Sequence, residues 1–259
     1  MFALSVPPFF QVERGFYKSS AAVYLSAAIV TAAGVAMLAI RGPRPDGPDP
    51  AVLWTAAALW ILFCAVLGVY LSTLWTASGW LRARSYALGL ATGLVALLFS
   101  ALMLEPGGFG FVGAVAFALT AITSSLVLGF ASGAMLFGHW YLIDPHLPVD
   151  YLRNFIRMLA IALIVDLAAL AIAVGMLAVA GGAAGASAVR GLIDSDALLL
   201  AARMAIGPGA TIMLTWMTWQ TLKVPQTMAA TGLLYIAVMS ALVGEMLGRF
   251  IMFRTSVPL

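Results

Sequence analysis

The stretch YLRNFIRMLAIALIVDLAALAIAVGMLAVA, residues 151–180, decides the fold of this chain. An α-helix needs about 20 consecutive apolar residues to cross the hydrocarbon core of a bilayer, and this stretch exceeds that length. After Arg157 its only ionisable side chain is Asp166. The pattern predicts a transmembrane helix that carries one carboxyl group near its middle.

The whole composition agrees with this interpretation. Of the 259 residues, 63% are hydrophobic and 9% are charged, and the mean hydropathy is +1.06. Soluble domains are about 45–50% apolar and about 25% charged, so the chain is predicted to be an integral membrane protein. The cations are scattered between apolar runs, which gives no case for nucleic-acid binding. The single cysteine, Cys64, excludes an intramolecular disulfide and a cysteine-based zinc or iron–sulfur site.

Proline, glycine and charged residues separate the apolar runs, and they predict an all-α, polytopic membrane bundle of seven transmembrane helices, with eight as the alternative. Transmembrane strands would need an alternation of polar and apolar residues, which is absent. The predicted spans are 20–40, 51–77, 85–104, 112–142, 151–180, 197–222 and 225–253. The stretch 181–196, GGAAGASAVRGLIDSD, is predicted to be a connection.

Three regions are expected along the chain: an N-terminal segment at 1–19, the transmembrane bundle at 20–253 and a short tail at 254–259. Aromatic and charged residues mix in the first region, which favours an amphipathic piece at the membrane interface or, alternatively, a partly ordered tail. No cleavable signal peptide is evident. Lysine and arginine are more frequent on the side of the first residues, which predicts a cytoplasmic N-terminus. We expect a multi-pass protein of a bacterial cytoplasmic membrane.

Beyond the first two turns of span five, the charged residues inside the predicted spans are Asp166, Arg203, Glu245 and Arg249. Charged groups are costly in a membrane, so each is a candidate for function. Glu245 and Arg249 are four residues apart and share a helix face, and Arg203 is expected at a similar depth. Two interpretations are open: a site that handles protons or a quinone headgroup, and an ion-pair network that locks spans six and seven together.

The sequence GPG, residues 207–209, interrupts span six. Proline removes a helix hydrogen bond and clashes with the preceding turn, so a break or a sharp kink is expected. Transporters place substrate sites at such breaks, although a kinked helix without a site is the alternative. Downstream, Trp216 and Trp219 precede Lys223, which is typical of an aromatic belt at the membrane surface.

Both histidines, His139 and His146, lie in one segment with prolines between and beyond them. They cannot face each other across a porphyrin, so a transmembrane bis-histidine haem is excluded. Their spacing with the neighbouring aspartates matches no metal motif, and no metal site is predicted. His139 is either a proton donor or acceptor near a quinone or, together with Trp140 and Tyr141, an anchor at the interface.

The stretch GEMLGRFIMF, Gly244–Phe253, resembles the last helix of the membrane-anchor subunits of dimethyl-sulfoxide-reductase-type respiratory enzymes. The matching positions are Gly244, Glu245, Gly248, Arg249 and Phe253. The resemblance implies a haem-free, multi-helix subunit that passes quinol electrons to an iron–sulfur partner. It covers 10 residues of 259, and this chain has seven predicted spans where those anchors have eight.

These observations predict a haem-free membrane subunit of a respiratory or electron-transfer complex, with a quinone pocket as a further expectation. The alternatives are a structural or assembly subunit and a small transporter or channel. No catalytic residue is predicted, and the subunit is expected to be inactive alone. Quinone and lipids are the expected small molecules, and the expected partners are the lipid bilayer and other subunits of a membrane complex.

Overall fold

The computed structural model describes residues 1–41, 49–76, 78–104, 108–224 and 226–259. Two residues used in the predictions lie outside the described residues. Arg44 is one of the cations counted in predicting a cytoplasmic N-terminus, and Pro225 is the predicted start of span seven. The chain divides into two compact units, Met1–Met103 and Leu104–Leu259. Within the described residues, seven helices are long and apolar enough to cross a membrane, which confirms the predicted all-α, multi-pass fold class.

The first unit contains three long helices, α1 (Arg14–Arg41), α2 (Pro50–Thr73) and α3 (Gly79–Met103). Helix α2 begins with a proline at its first position and an aspartate N-cap, whose carboxylate accepts a hydrogen bond from the Ala51 amide. Helices α2 and α3 are antiparallel, because Trp60 donates to Ser100 at one end and the rings of Tyr70 and Tyr86 meet at the other.

The first 13 residues fold back onto this unit. A 3₁₀ turn at Phe2–Ser5 is followed by contacts in which the hydroxyls of Tyr17 and Tyr86 donate to the carbonyls of Pro7 and Met1. Helix α1 begins at Arg14 and not at residue 20. The segment predicted at 1–19 is therefore a packed N-terminal turn and the first part of α1, and its place at a membrane interface stays a prediction.

The second unit contains the remaining elements: α4 (Gly110–Trp140), α5 (Val149–Ala180), α6 (Gly182–Ser195), α7 (Ala197–Met204), a π-helical segment (Ala205–Gly209), α8 (Ala210–Lys223) and α9 (Thr227–Thr255). The stretch 181–196 connects spans five and six as predicted, but it is helical, because α6 occupies most of it. Its 14 residues are too few to span a bilayer. Val189 and Leu192 fix it by packing into an apolar core of this unit.

Helices α4, α5, α8 and α9 form a ring in which each packs on the next. Neighbours run antiparallel: Phe137 of α4 meets Phe155 of α5, and His139 of α4 meets Tyr235 of α9. The close approach of α4 and α9 depends on Gly138, where a Cβ atom would lie 2.8 Å from the Thr231 hydroxyl oxygen. The ring encloses the polar residues described below.

The GPG sequence does not break span six. It forms a π-helical segment that continues into α8, because side chains accommodate the disturbed backbone. The Thr211 hydroxyl donates to the Gly207 carbonyl at 2.6 Å, and the Ser240 hydroxyl of α9 donates to the Ile206 carbonyl. Single π-helical turns inside α-helices are frequent at functional sites, and this one lies beside the charged residues of the second unit.

A buried charge cluster in the second unit

Two glycines bring α9 against the π-helical segment. A Cβ atom on Gly244 would overlap the backbone of Gly207, and a Cβ atom on Gly207 would come within 3.0 Å of the Gly244 Cα. Only glycine at both positions permits this backbone contact. Glu245 follows Gly244 directly, and Arg203 lies one turn before Gly207, so the contact places their side chains opposite each other.

Glu245 lies between two arginines. Its Oε1 is 3.5 Å from Nη2 of Arg203 and its Oε2 is 3.6 Å from Nη2 of Arg249. The Arg203 side chain is 3% exposed and that of Glu245 is 14% exposed, whereas that of Arg249 is 36% exposed. Both separations exceed the approximately 2.7–2.9 Å of a charge-assisted hydrogen bond. The carboxylate is thus held by two ion pairs and not by a tight bidentate bond.

Asp166 of α5 completes the group. It is 7% exposed and lines the same small cavity as Arg203 and Glu245. Among the described residues Asp166 forms no ion pair within 4.0 Å, so its charge acts on the two arginines from a longer distance. We call Asp166, Arg203, Glu245 and Arg249 the charge cluster. When all four are ionised, its two carboxylates and two guanidinium groups cancel.

The cavity beside the charge cluster is small, about 10 Å³. A cavity needs roughly 10–15 Å³ to hold one water molecule, so this conformation admits nothing larger. The buried Nε–H of Arg203 can still donate a hydrogen bond, because it has no acceptor among the described residues. The cavity can therefore hold at most one water molecule, and a solute of several atoms needs a different conformation.

Hydroxyl groups line the ring around the charge cluster. Six buried residues of α4 and α8 contribute them: Thr120, Thr123, Ser124, Thr211, Thr215 and Thr218. The Ser124 hydroxyl donates to the Thr120 carbonyl at 2.5 Å. The three threonines of α8 each donate to the backbone carbonyl four residues earlier, at 2.6–2.7 Å. Their oxygens remain available as acceptors, so the interior is more polar than the mean hydropathy suggests.

The structure brings together four of the five candidate residues and separates His139 from them. Nδ1 of His139 lies 3.2 Å from the hydroxyl of Tyr235. His139 is 15 residues beyond Ser124 on α4, which is roughly 22 Å along the helix. His146 lies in the connection to α5, where its amide donates to the Asp144 carboxylate. Within the described ranges, no three His, Cys, Asp or Glu side chains are grouped closely enough to hold a metal ion.

Sequence reasoning did not place Asp166 in the charge cluster, because spacing along the chain does not say which helices are neighbours. It also missed the hydroxyl groups. A signal for them exists: Thr211, Thr215 and Thr218 recur at intervals of four and three residues, which puts them on one helix face.

Comparison with protein-family models, with curated proteins and with solved structures finds no match.

Proposed function

We propose that this membrane protein takes up and releases protons inside the second unit, with Asp166 and Glu245 as the proton-binding groups. The observation that carries the proposal is that Glu245 is paired with two arginines and that a second carboxyl group, Asp166, lines the same cavity of about 10 Å³. Ionisable groups in a membrane interior are costly and typically mark proton or ion pathways. A cavity of this size favours the proton over any larger solute.

A route to the surface supports the proposal. A cavity of about 500 Å³ lies at one end of the second unit, and its lining includes Asp196, Ser195 and Arg254. Arg254 Nε is 3.0 Å from the Asp196 carboxylate. Arg254 is five residues beyond Arg249 on α9, which is roughly 7.5 Å along the helix. Water in this cavity can therefore approach within a short distance of the charge cluster; Arg249 is 36% exposed, stays charged and holds the Glu245 carboxylate, while the carboxyl groups would exchange protons with that water.

The wider context of the proposal is a haem-free membrane subunit of an electron-transfer complex in a bacterial cytoplasmic membrane, with its N-terminus in the cytoplasm. Oxidation of a quinol releases two electrons and two protons; the electrons would go to a partner subunit's cofactor and the protons to this chain. The support is the resemblance at Gly244–Phe253, which includes Glu245 and Arg249. A partner surface is available on the first unit, where 17–22% of the span residues are buried.

Co-purification tests this context. The protein is extracted from native membranes in a mild detergent, and the companions are identified by mass spectrometry and by their iron–sulfur or haem spectra. We expect a redox partner, and we expect Glu245→Gln to slow quinol oxidation by the intact complex while assembly stays normal. A companion without redox cofactors, with unchanged turnover in the variant, would favour a structural or assembly subunit.

A small transporter is the second candidate, and the π-helical segment beside the charge cluster is the observation in its favour. Liposomes containing the protein and a trapped pH-sensitive dye separate it from the first candidate. A transporter would collapse an imposed pH difference without any partner, and Asp166→Asn would abolish that flux. The exposed Asp194, on α6, provides the matched control variant Asp194→Asn, which should leave the flux unchanged.

A further inference from the structure

The strongest feature outside the charge cluster is a groove between α5 and α8. It has a volume of about 360 Å³ and an apolar lining that includes Ala160, Ile164, Ile212 and Trp216. The lining residues recur every three or four positions on both helices, so two helix faces form its walls. The groove runs roughly 10 Å along the helices, from Arg157 to Ile164 on α5. It is much too small for another helix, whose diameter is about 10–12 Å, and is suited to a single hydrocarbon chain.

A cation lies at one end of this groove. Arg157 is exposed, and its guanidinium carbon is 5.6 Å from the centre of the Trp219 ring. Its Nη1 donates a hydrogen bond to the neutral Asn154 amide oxygen, at 3.4 Å. Among the described residues, neither Arg157 nor Lys223 has a carboxylate within 4.0 Å, whereas Arg153 is paired with Asp150. This end of the second unit thus offers positive charge without an internal counter-ion.

The position of Arg157 suits a lipid headgroup. Helix α5 has 32 residues, which is roughly 48 Å and exceeds the approximately 30 Å hydrocarbon core. Arg157 lies two turns from its start, and Trp219 lies one turn from the end of α8. Tryptophan favours the headgroup level of a bilayer, and an arginine there presents a donor pair that matches a phosphate.

We propose that the α5–α8 groove binds an anionic phospholipid, with its phosphate at Arg157 and one acyl chain along Ala160, Ile164 and Trp216. Basic pockets between transmembrane helices commonly hold acidic headgroups. The choice of an anionic lipid follows from the charge of Arg157, which has no carboxylate within 4.0 Å: a zwitterionic lipid brings a second cation beside its phosphate, and a neutral quinone brings no anion. The site uses no residue of the charge cluster, so it stands independently of the proposed proton chemistry.

Native mass spectrometry of the full chain in a mild detergent tests the site, with dioleoyl-phosphatidylglycerol and dioleoyl-phosphatidylcholine as probes of identical chains. We expect phosphatidylglycerol to bind the wild-type protein at least about fivefold more tightly than phosphatidylcholine does. This ratio corresponds to the contribution of one basic residue. Arg157→Gln should remove this preference and Arg157→Lys should keep part of it. Arg190→Gln, the same change on the exposed face of α6, should have no effect.

A second variant tests the groove itself and does not depend on charge. Ala160→Phe fills the groove and should weaken the binding of both lipids, while the protein still elutes as a folded species in size-exclusion chromatography. Equal affinities of the wild-type protein for the two lipids would overturn the proposal, as would an equal effect of Arg157→Gln and Arg190→Gln. Displacement of phosphatidylglycerol by ubiquinone at comparable concentration would also overturn it, since the groove would then be a quinone site.

Discussion

Among the described residues, each unit contains one buried arginine, and the two arginines have different partners. In the first unit, Nη2 of Arg82 donates to the backbone carbonyls of Thr76 at 2.9 Å and Thr73 at 3.4 Å, and its guanidinium lies over the Phe9 ring. In the second unit, Arg203 is paired with the Glu245 carboxylate. Arg82 is 8% exposed and Arg203 is 2% exposed.

This difference separates a structural arrangement from a chemical one. Backbone carbonyls carry only partial charge and do not titrate, so the surroundings of Arg82 have one charge state. Carboxylates do titrate, so the surroundings of Arg203 can gain or lose a proton while the fold is retained. We therefore expect substitutions in the first unit to alter stability alone and substitutions in the second unit to alter both stability and proton binding.

The largest effect is expected from Arg203→Gln. The change leaves Glu245 and Asp166 with only Arg249 as a cationic partner, and breaking a buried ion pair in this way costs about 3–5 kcal/mol of the free energy of unfolding. Arg249→Gln is the matched control and should cost clearly less, because its side chain is 36% exposed. Thermal unfolding in detergent measures both. Equal losses would mean that the burial of Arg203 does not determine the strength of the pair.

Gly244→Ala should have the next largest effect. The added methyl group meets the backbone of Gly207, which cannot rotate away as a side chain can, so we expect a loss of up to about 3 kcal/mol. Gly232 of the same helix has open space, with no atom within 4 Å of the position a methyl group would take, and Gly232→Ala should stabilise the helix by about 0.5–1 kcal/mol. Opposite signs in the two variants are the expected result; similar stabilities would contradict the close glycine contact.

Arg82→Met tests the first unit and should cost about 1–2 kcal/mol, because it removes side-chain donors from the buried Thr73 carbonyl and the partly buried Thr76 carbonyl. The cost is limited, since Nη1 of Arg14 also donates to the Thr76 carbonyl, at 3.2 Å. Proton binding by the protein should be unchanged. A loss of proton binding in this variant would break the distinction between the two units.

Tyr235→Phe is expected to have the smallest effect. It removes the contact between the Tyr235 hydroxyl and Nδ1 of His139, and both residues are outside the charge cluster. A partly exposed hydrogen bond contributes about 0.5–1 kcal/mol, so the unfolding temperature should change little. If this variant impaired proton binding as strongly as Asp166→Asn, then His139 would belong to the proton path after all.

Local sequence patterns predicted the positions of the helices better than the contacts between them. The seven spans follow from the length of the apolar runs, whereas α1 begins six residues before its predicted start because its first turn, at Arg14–Tyr17, packs within the first unit. Helix α6 was missed because its glycines and alanines look like a loop. The GPG sequence predicted a break or a sharp kink, and the structure has a π-helical segment there; Ser240 lies on another helix, so its bond to the Ile206 carbonyl was not visible in the sequence.

The candidate site was predictable only where its residues are close along the chain. Glu245 and Arg249 are close because four residues form about one helical turn, and this follows from local geometry. The meeting of Glu245 with Arg203 depends on two glycines in different helices, and the addition of Asp166 depends on the packing order of the ring. Those contacts are non-local, and residue spacing alone does not determine them.

Infrared spectroscopy of the reconstituted protein, recorded as a difference between acidic and alkaline buffer, tests the central claim most directly. Carboxylic acid groups absorb in a region free of backbone bands, so protonation of a single buried carboxyl group is visible. We predict a carboxyl band that changes with pH in the wild-type protein, is lost or displaced in Asp166→Asn and Glu245→Gln, and persists in Asp194→Asn. A wild-type spectrum that is identical to that of the Asp166→Asn, Glu245→Gln double variant would contradict the account.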